Sequence, residues 1–213
     1  MLATRERFSS LCLRIGAKYN LATGRTIDAT YDELVNAYTG PNRHYHNLAH
    51  IDEGLGELDE VKHLALDPDA LEMAWWWHDF VYNIPAKDNE LLSAVAAFKT
   101  LSELSVPSFT SVKVLVRIMP TLHSYIPNYF DDWLMVDIDL VRIAAPPELF
   151  IKNSEDIRQE YGASIEEFRV GQAEFFRNFI IGRSSVYLTD YFRNKYESRA
   201  QENIKRVLAT FRK

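Results

Sequence analysis

The 213-residue chain has a single cysteine, Cys12, so no intramolecular disulfide or paired-cysteine metal knuckle can form, and packing must hold the fold. Glycine and proline are scarce, 8 of each, which disfavours turn-rich β architecture. No block of Lys and Arg supplies the field that nucleic-acid polymers or anionic membranes need, and the formal net charge is −6. Long apolar runs are missing as well. Leu11 to Ile15 is broken by Arg14, and Ala74 to Trp77 spans about one helical turn, too short for a membrane span or a signal core. The expectation is a soluble cytoplasmic protein whose partners include neither a nucleic-acid polymer nor a membrane.

What the chain does contain is helical patterning. With 47% hydrophobic residues it can fill one core, and we expect one all-α domain over 1–213. Asp67-Pro68 reads as an N-cap followed by proline at the first helical position, with apolar Leu71, Ala74, Trp75 and Trp77 behind it, and that helix should end near His78-Asp79. Asp88 opens a further helix that Ser105-Val106-Pro107 breaks. The remaining pattern predicts helices over about 3–19, 30–38, 47–63, 108–119, 129–144, 147–161, 164–181 and 189–211, with Pro41, Pro85, Pro120, Pro127 and Pro146 between them.

Three segments carry candidate chemistry. In Arg43-His44-Tyr45-His46-Asn47-Leu48-Ala49-His50 the spacing of His46 and His50 puts both imidazoles on one face if the segment is helical, where they share a site or satisfy separate buried hydrogen bonds. In Trp75-Trp76-Trp77-His78-Asp79 an imidazole and a carboxylate end an apolar helix. A buried carboxylate needs compensation, and a cation supplies it unless Asp79 caps a turn or pairs with an arginine. In Met135-Val136-Asp137-Ile138-Asp139-Leu140 two acids at i, i+2 point to different faces, so one can turn inward while the other meets solvent or a supporting partner.

Together these residues resemble the HD superfamily of metal-dependent phosphohydrolases: an upstream histidine, an adjacent His-Asp pair and a distant aspartate preceding leucine. Asp88-Asn89-Glu90, with Ser93-Ala94, and the C-terminal Arg158-Gln159-Glu160-Tyr161 and Ser198-Arg199-Ala200-Gln201-Glu202-Asn203 extend the resemblance to a bacterial group of predicted phosphohydrolases over most of the chain. Tyr45-His46-Asn47-Leu48-Ala49-His50 also looks like the corresponding signature of cyclic-nucleotide phosphodiesterases. The resemblance implies a metal-binding core over about 43–140 with the metal in a central cleft, and C-terminal helices over about 147–211. It implies His50, His78, Asp79 and Asp139 as ligands, and His46 with Asp79 as the catalytic groups, His46 as the general acid unless it only steadies a ligand.

Such a mixed N/O set suits one divalent ion, Mn, Fe, Ni, Co, Zn or Mg, with a second bridged by Asp79 as the alternative. The implied substrate is a small phosphorylated molecule, a nucleotide among the candidates. Arg43 could grip its phosphate bidentately, and His123 could enter the pocket from a loop, the competing readings being a surface arginine and a plain loop histidine. Tyr82 and Trp76 could stack on a base or belong to the core. The rival functions are a non-catalytic metal or nucleotide binding module and a di-iron oxygenase on the same fold.

Overall fold

Side-chain caps set where the first four helices begin. Thr4 accepts from the Arg7 amide and opens α1 (Arg5–Arg14), and Thr26 accepts from Ala29 and opens α2 (Ile27–Tyr38). Asn47 accepts from Ala49 and His50 and opens α3 (Leu48–Val61), while Asp67 accepts from Ala70 ahead of Pro68 and opens α4 (Pro68–Trp77). After these come α5 (Asn89–Glu103), α6 (Ser108–Ile118), a 3-10 turn at Met119–Leu122, α7 (Phe130–Asp139), a second 3-10 turn at Val141–Ala144, α8 (Pro147–Tyr161), α9 (Ile165–Ile180) and α10 (Asp190–Ala209).

This computed structural model describes residues 1–180 and 183–209, and those residues form ten α-helices and no strand. The fold class is all-α. The expected helix positions 181, 210 and 211 lie outside the described residues. Two expected helices stop early. Gly16, at φ +91°, turns the chain out of α1 while the Ala17 amide returns to the Cys12 carbonyl at 2.9 Å, so α1 ends at Arg14 rather than reaching residue 19. The helix expected over 129–144 closes at Asp139 and continues as the 3-10 turn.

The chain divides into two units, Met1–Met135 and Val136–Lys213, and the division falls within α7. In the first unit α4 packs against α1, α3, α5 and α6, and every residue from Ala70 to Trp77 is buried. The one acid of that buried stretch, Glu72, accepts from Arg7 Nε at 2.7 Å, and Arg7 also pairs with Asp59. The N-terminal end of α4 is fixed by Asp131, whose carboxylate accepts from the Leu66 and Asp67 amides at 2.7 and 3.0 Å and from Arg117 at 2.8 Å. Lys113 Nζ reaches Asp67 at 2.6 Å. Trp76 is fully buried against Phe8 and Tyr31, which removes it as a surface for stacking a base.

In the second unit Asp137 is fully buried and accepts from the Leu188 and Thr189 amides and the Thr189 hydroxyl at 2.7 to 2.8 Å. Burial pushes its carboxyl up to about 6 against the opposing pull of these bonds. Asn203 donates to the Ile143 and Ala145 carbonyls, and Glu197 accepts from the Val186 and Tyr187 amides. Two polar residues of α10 therefore bind the ends of irregular segments.

A close helix approach generates one prediction. A Cβ at Gly54 on α3 would lie inside the Trp75 indole, whereas at Gly56 it would meet only Leu2 Cδ1 at 3.6 Å. Gly54→Ala is expected to lower unfolding free energy by about 2 kcal/mol or more, and Gly56→Ala to raise it by about 0.5 to 1 kcal/mol through helix propensity. Urea unfolding of the two variants checks the opposite signs.

A second concerns Asp132, buried at 5% exposure, whose carboxyl is pushed up to about 6 by burial, with Arg117 lowering it and Asp131 raising it. A raised acid pKa means that its contribution to stability is fully present below the ordinary value near 3.8 and is lost as pH rises through about 6. Asp132→Asn should therefore be more stable than wild type at pH 7.5, by about 1 kcal/mol after solvent screening, and the advantage should vanish at pH 4. Unfolding curves at the two pH values measure it.

Candidate metal centre

His50 lies in the first turn of α3, where Asn47 accepts from its amide at 3.3 Å, and its ring is 2% exposed. Because Asn47 is the N-cap, His46 stands outside the helix, and the expectation that both histidines share one helical face is corrected. The rings still approach, with centroids 5.9 Å apart. His46 is half-buried, its ring 4.4 Å from that of Tyr82 and 4.7 Å from that of Tyr45.

His78 ends α4 and is 1% exposed. Its ring stacks on Trp75 at 4.3 Å, and its Nδ1 lies 2.8 Å from the Trp75 carbonyl. A carbonyl can only accept, so Nδ1 carries a proton, and in the neutral ring Nε2 then presents its lone pair, as orienting partners of ligand histidines arrange it. That Nε2 is 3.3 Å from Nε2 of His50. Asp79 Oδ2 is 3.0 Å from the His78 nitrogen and 3.6 Å from that of His50.

The spacing fits a metal ion. Ligand atoms about 2.1 Å from one ion stand about 3.0 Å apart at right angles and about 3.4 Å apart at tetrahedral angles. Two imidazole nitrogens and a carboxylate oxygen 3.0 to 3.6 Å apart, held among aromatic side chains, match that requirement. His50, His78 and Asp79, all within Met1–Met135, thus form a group that could bind a metal ion. Asp139, the other expected ligand, is the last residue of α7, within Val136–Lys213, and is half-buried.

The carbonyls that end α4 are taken by side chains around this group: Trp75 O by the His78 ring and Trp76 O by the Tyr38 hydroxyl at 3.0 Å. Just beyond, Asp79 O and Phe80 O accept from Arg43 at 2.7 and 2.8 Å. Arg43 also donates to His46 O at 3.0 Å and lies over the rings of Tyr38 and Tyr82. His123 sits half-buried at the left-handed end of the Met119–Leu122 turn, φ 55°. His44 and His63 are exposed.

Sequence reasoning gave no role to Asn47, Tyr38 or the Trp75 carbonyl. Asn47 carried a signal, an N-cap residue before an apolar run, and the i, i+3 spacing of Trp75 and His78 carried another. Tyr38 carried none.

No protein-family model, no curated protein and no solved structure matches this chain.

Titration with Co(II) or Mn(II) is expected to show one ion bound per wild-type chain. His50→Ala and His78→Ala should each weaken binding by about tenfold or more, while His46→Ala should stay near wild type. Equal losses at His46 and His50 would make His46 a ligand.

Proposed function

We propose that this protein is a metal-dependent hydrolase of phosphate esters, a member of the HD superfamily acting in the cytoplasm. The observation that supports it most is the convergence of the His50 and His78 Nε2 atoms with Asp79 Oδ2, beside a half-buried His46. The sequence pattern assigns Asp139 as the fourth ligand.

Bound there, a divalent ion supplies Lewis acidity that polarises a phosphoryl oxygen and makes water nucleophilic near neutral pH. The residues supply the rest. His78 keeps its lone pair at the site because the Trp75 carbonyl holds the opposite proton. Asp79 brings negative charge that stabilises the cation. His46, packed against Tyr45 and Tyr82, protonates the departing alkoxide, a task suited to an imidazole. A net charge of −6 with no basic block favours a small phosphorylated substrate, a nucleotide among them, over a nucleic-acid polymer.

Phosphate release from phosphomonoesters, nucleotides and cyclic nucleotides, after loading with Mn, Fe, Co, Ni, Zn or Mg, tests the reading. Turnover should appear in the wild type, fall about 10²- to 10⁴-fold in His46→Ala with metal retained, and disappear together with metal in Asp79→Ala. A wild-type chain that takes up no metal would overturn the proposal. Metal uptake without turnover of any ester would leave a binding module instead.

A further inference from the structure

Arg43 has five N–H donors, and three of its hydrogen bonds go to main-chain carbonyls. Nη1 bridges His46 O at 3.0 Å and Asp79 O at 2.7 Å, and Nη2 reaches Phe80 O at 2.8 Å. The guanidinium carbon lies 5.3 Å from the Tyr38 ring centroid and 5.0 Å from that of Tyr82, with Tyr38 itself bonded to Trp76 O. The group is half-buried and carries positive charge beside the C-terminal end of α4, where the helix dipole favours a cation. Ammonium could not reproduce this arrangement, because a planar fork reaches separate carbonyls in fixed directions while stacking on rings.

We infer that Arg43 is a positioning residue for the metal centre: it fastens the main chain of His46 to the turn that carries Asp79, so that proton donor and metal ligand are held on one clamp. The inference rests on the proposed function, and it replaces a direct grip on phosphate as the role of this arginine. Removing the guanidinium leaves the ligand side chains in place but cuts the link between the segment before α3 and the turn after α4. The ring of Tyr82, which lies against both Arg43 and His46, loses one of its supports at the same time.

The test uses the full chain with Co(II) titration and with hydrolysis of bis(4-nitrophenyl) phosphate. Arg43→Ala is expected to weaken Co(II) binding and lower kcat by about 10- to 100-fold each, the range for supporting groups around metal ligands, with KM within about twofold. Arg43→Lys should recover part of both, and it carries the same reading should Arg43→Ala fail to fold. Thr26→Ala, which removes the α2 cap far along the sequence, supplies a control of general destabilisation and should leave Co(II) affinity unchanged.

A rise in KM with unchanged Co(II) affinity and kcat would overturn the inference in favour of phosphate binding. Wild-type behaviour of Arg43→Ala, or the same losses in Thr26→Ala, would also overturn it. Failure of the wild type to bind Co(II) would instead remove the proposed function, and this inference with it. Metal binding unaffected by Arg43→Ala would remove the inference alone.

Discussion

A helix buried along its length cannot leave its last carbonyls to water, and every such group has to find a donor within the protein. In α4 this requirement falls where the chain also carries His78 and Asp79. The Phe80 amide serves Trp77, and the other donors recruited are groups of the site or its supports: the His78 ring for Trp75, the Tyr38 hydroxyl for Trp76 and Arg43 for the residues just beyond. Ending the helix and orienting a ligand become one physical event. The proton that satisfies the Trp75 carbonyl is the proton whose location leaves His78 Nε2 able to bind a cation.

The opposite end of α4 is held with equal care and by different chemistry. Asp131 supplies an anion to two amides where the helix dipole is positive, and Lys113 and Arg117 neutralise the acids gathered there. Between these anchors eight consecutive buried residues, three of them tryptophans, leave the helix little freedom to slide. A ligand at the end of such an element inherits its rigidity, which is the condition for a metal site that keeps its shape.

Much of this was legible from residues alone. Asp67-Pro68 placed the start of α4, and the apolar content around Trp75 to Trp77 announced its burial. The cost of a carboxylate at Asp79 pointed to a cation, and the resemblance to the HD superfamily grouped His50 with the His78-Asp79 pair. What escaped was whatever depended on geometry at one atom. The i, i+4 spacing suggested a helical face for His46 and His50, but Asn47, between them, starts the helix and leaves His46 outside it. Arg43 looked like a phosphate ligand because sequence shows the guanidinium and hides the carbonyls it meets. Spacing left open which of Asp137 and Asp139 turns inward, the resemblance named Asp139 as the ligand, and the structure bonds Asp137 to Leu188 and Thr189.

The absent side chain of Gly54 bears on all of this. The Trp75 indole occupies the space where a methyl group would stand, donates to Ile51 O on the same helix at 3.0 Å, and carries the His78 ring on its face. The Trp75 indole thus stands between the bare main chain at Gly54 and the His78 ring. His50 hangs from that same backbone, one helical turn before Gly54. The gap between the two imidazole nitrogens, and with it the size of any ion they can share, depends on a residue that has no side chain with which to touch the ion.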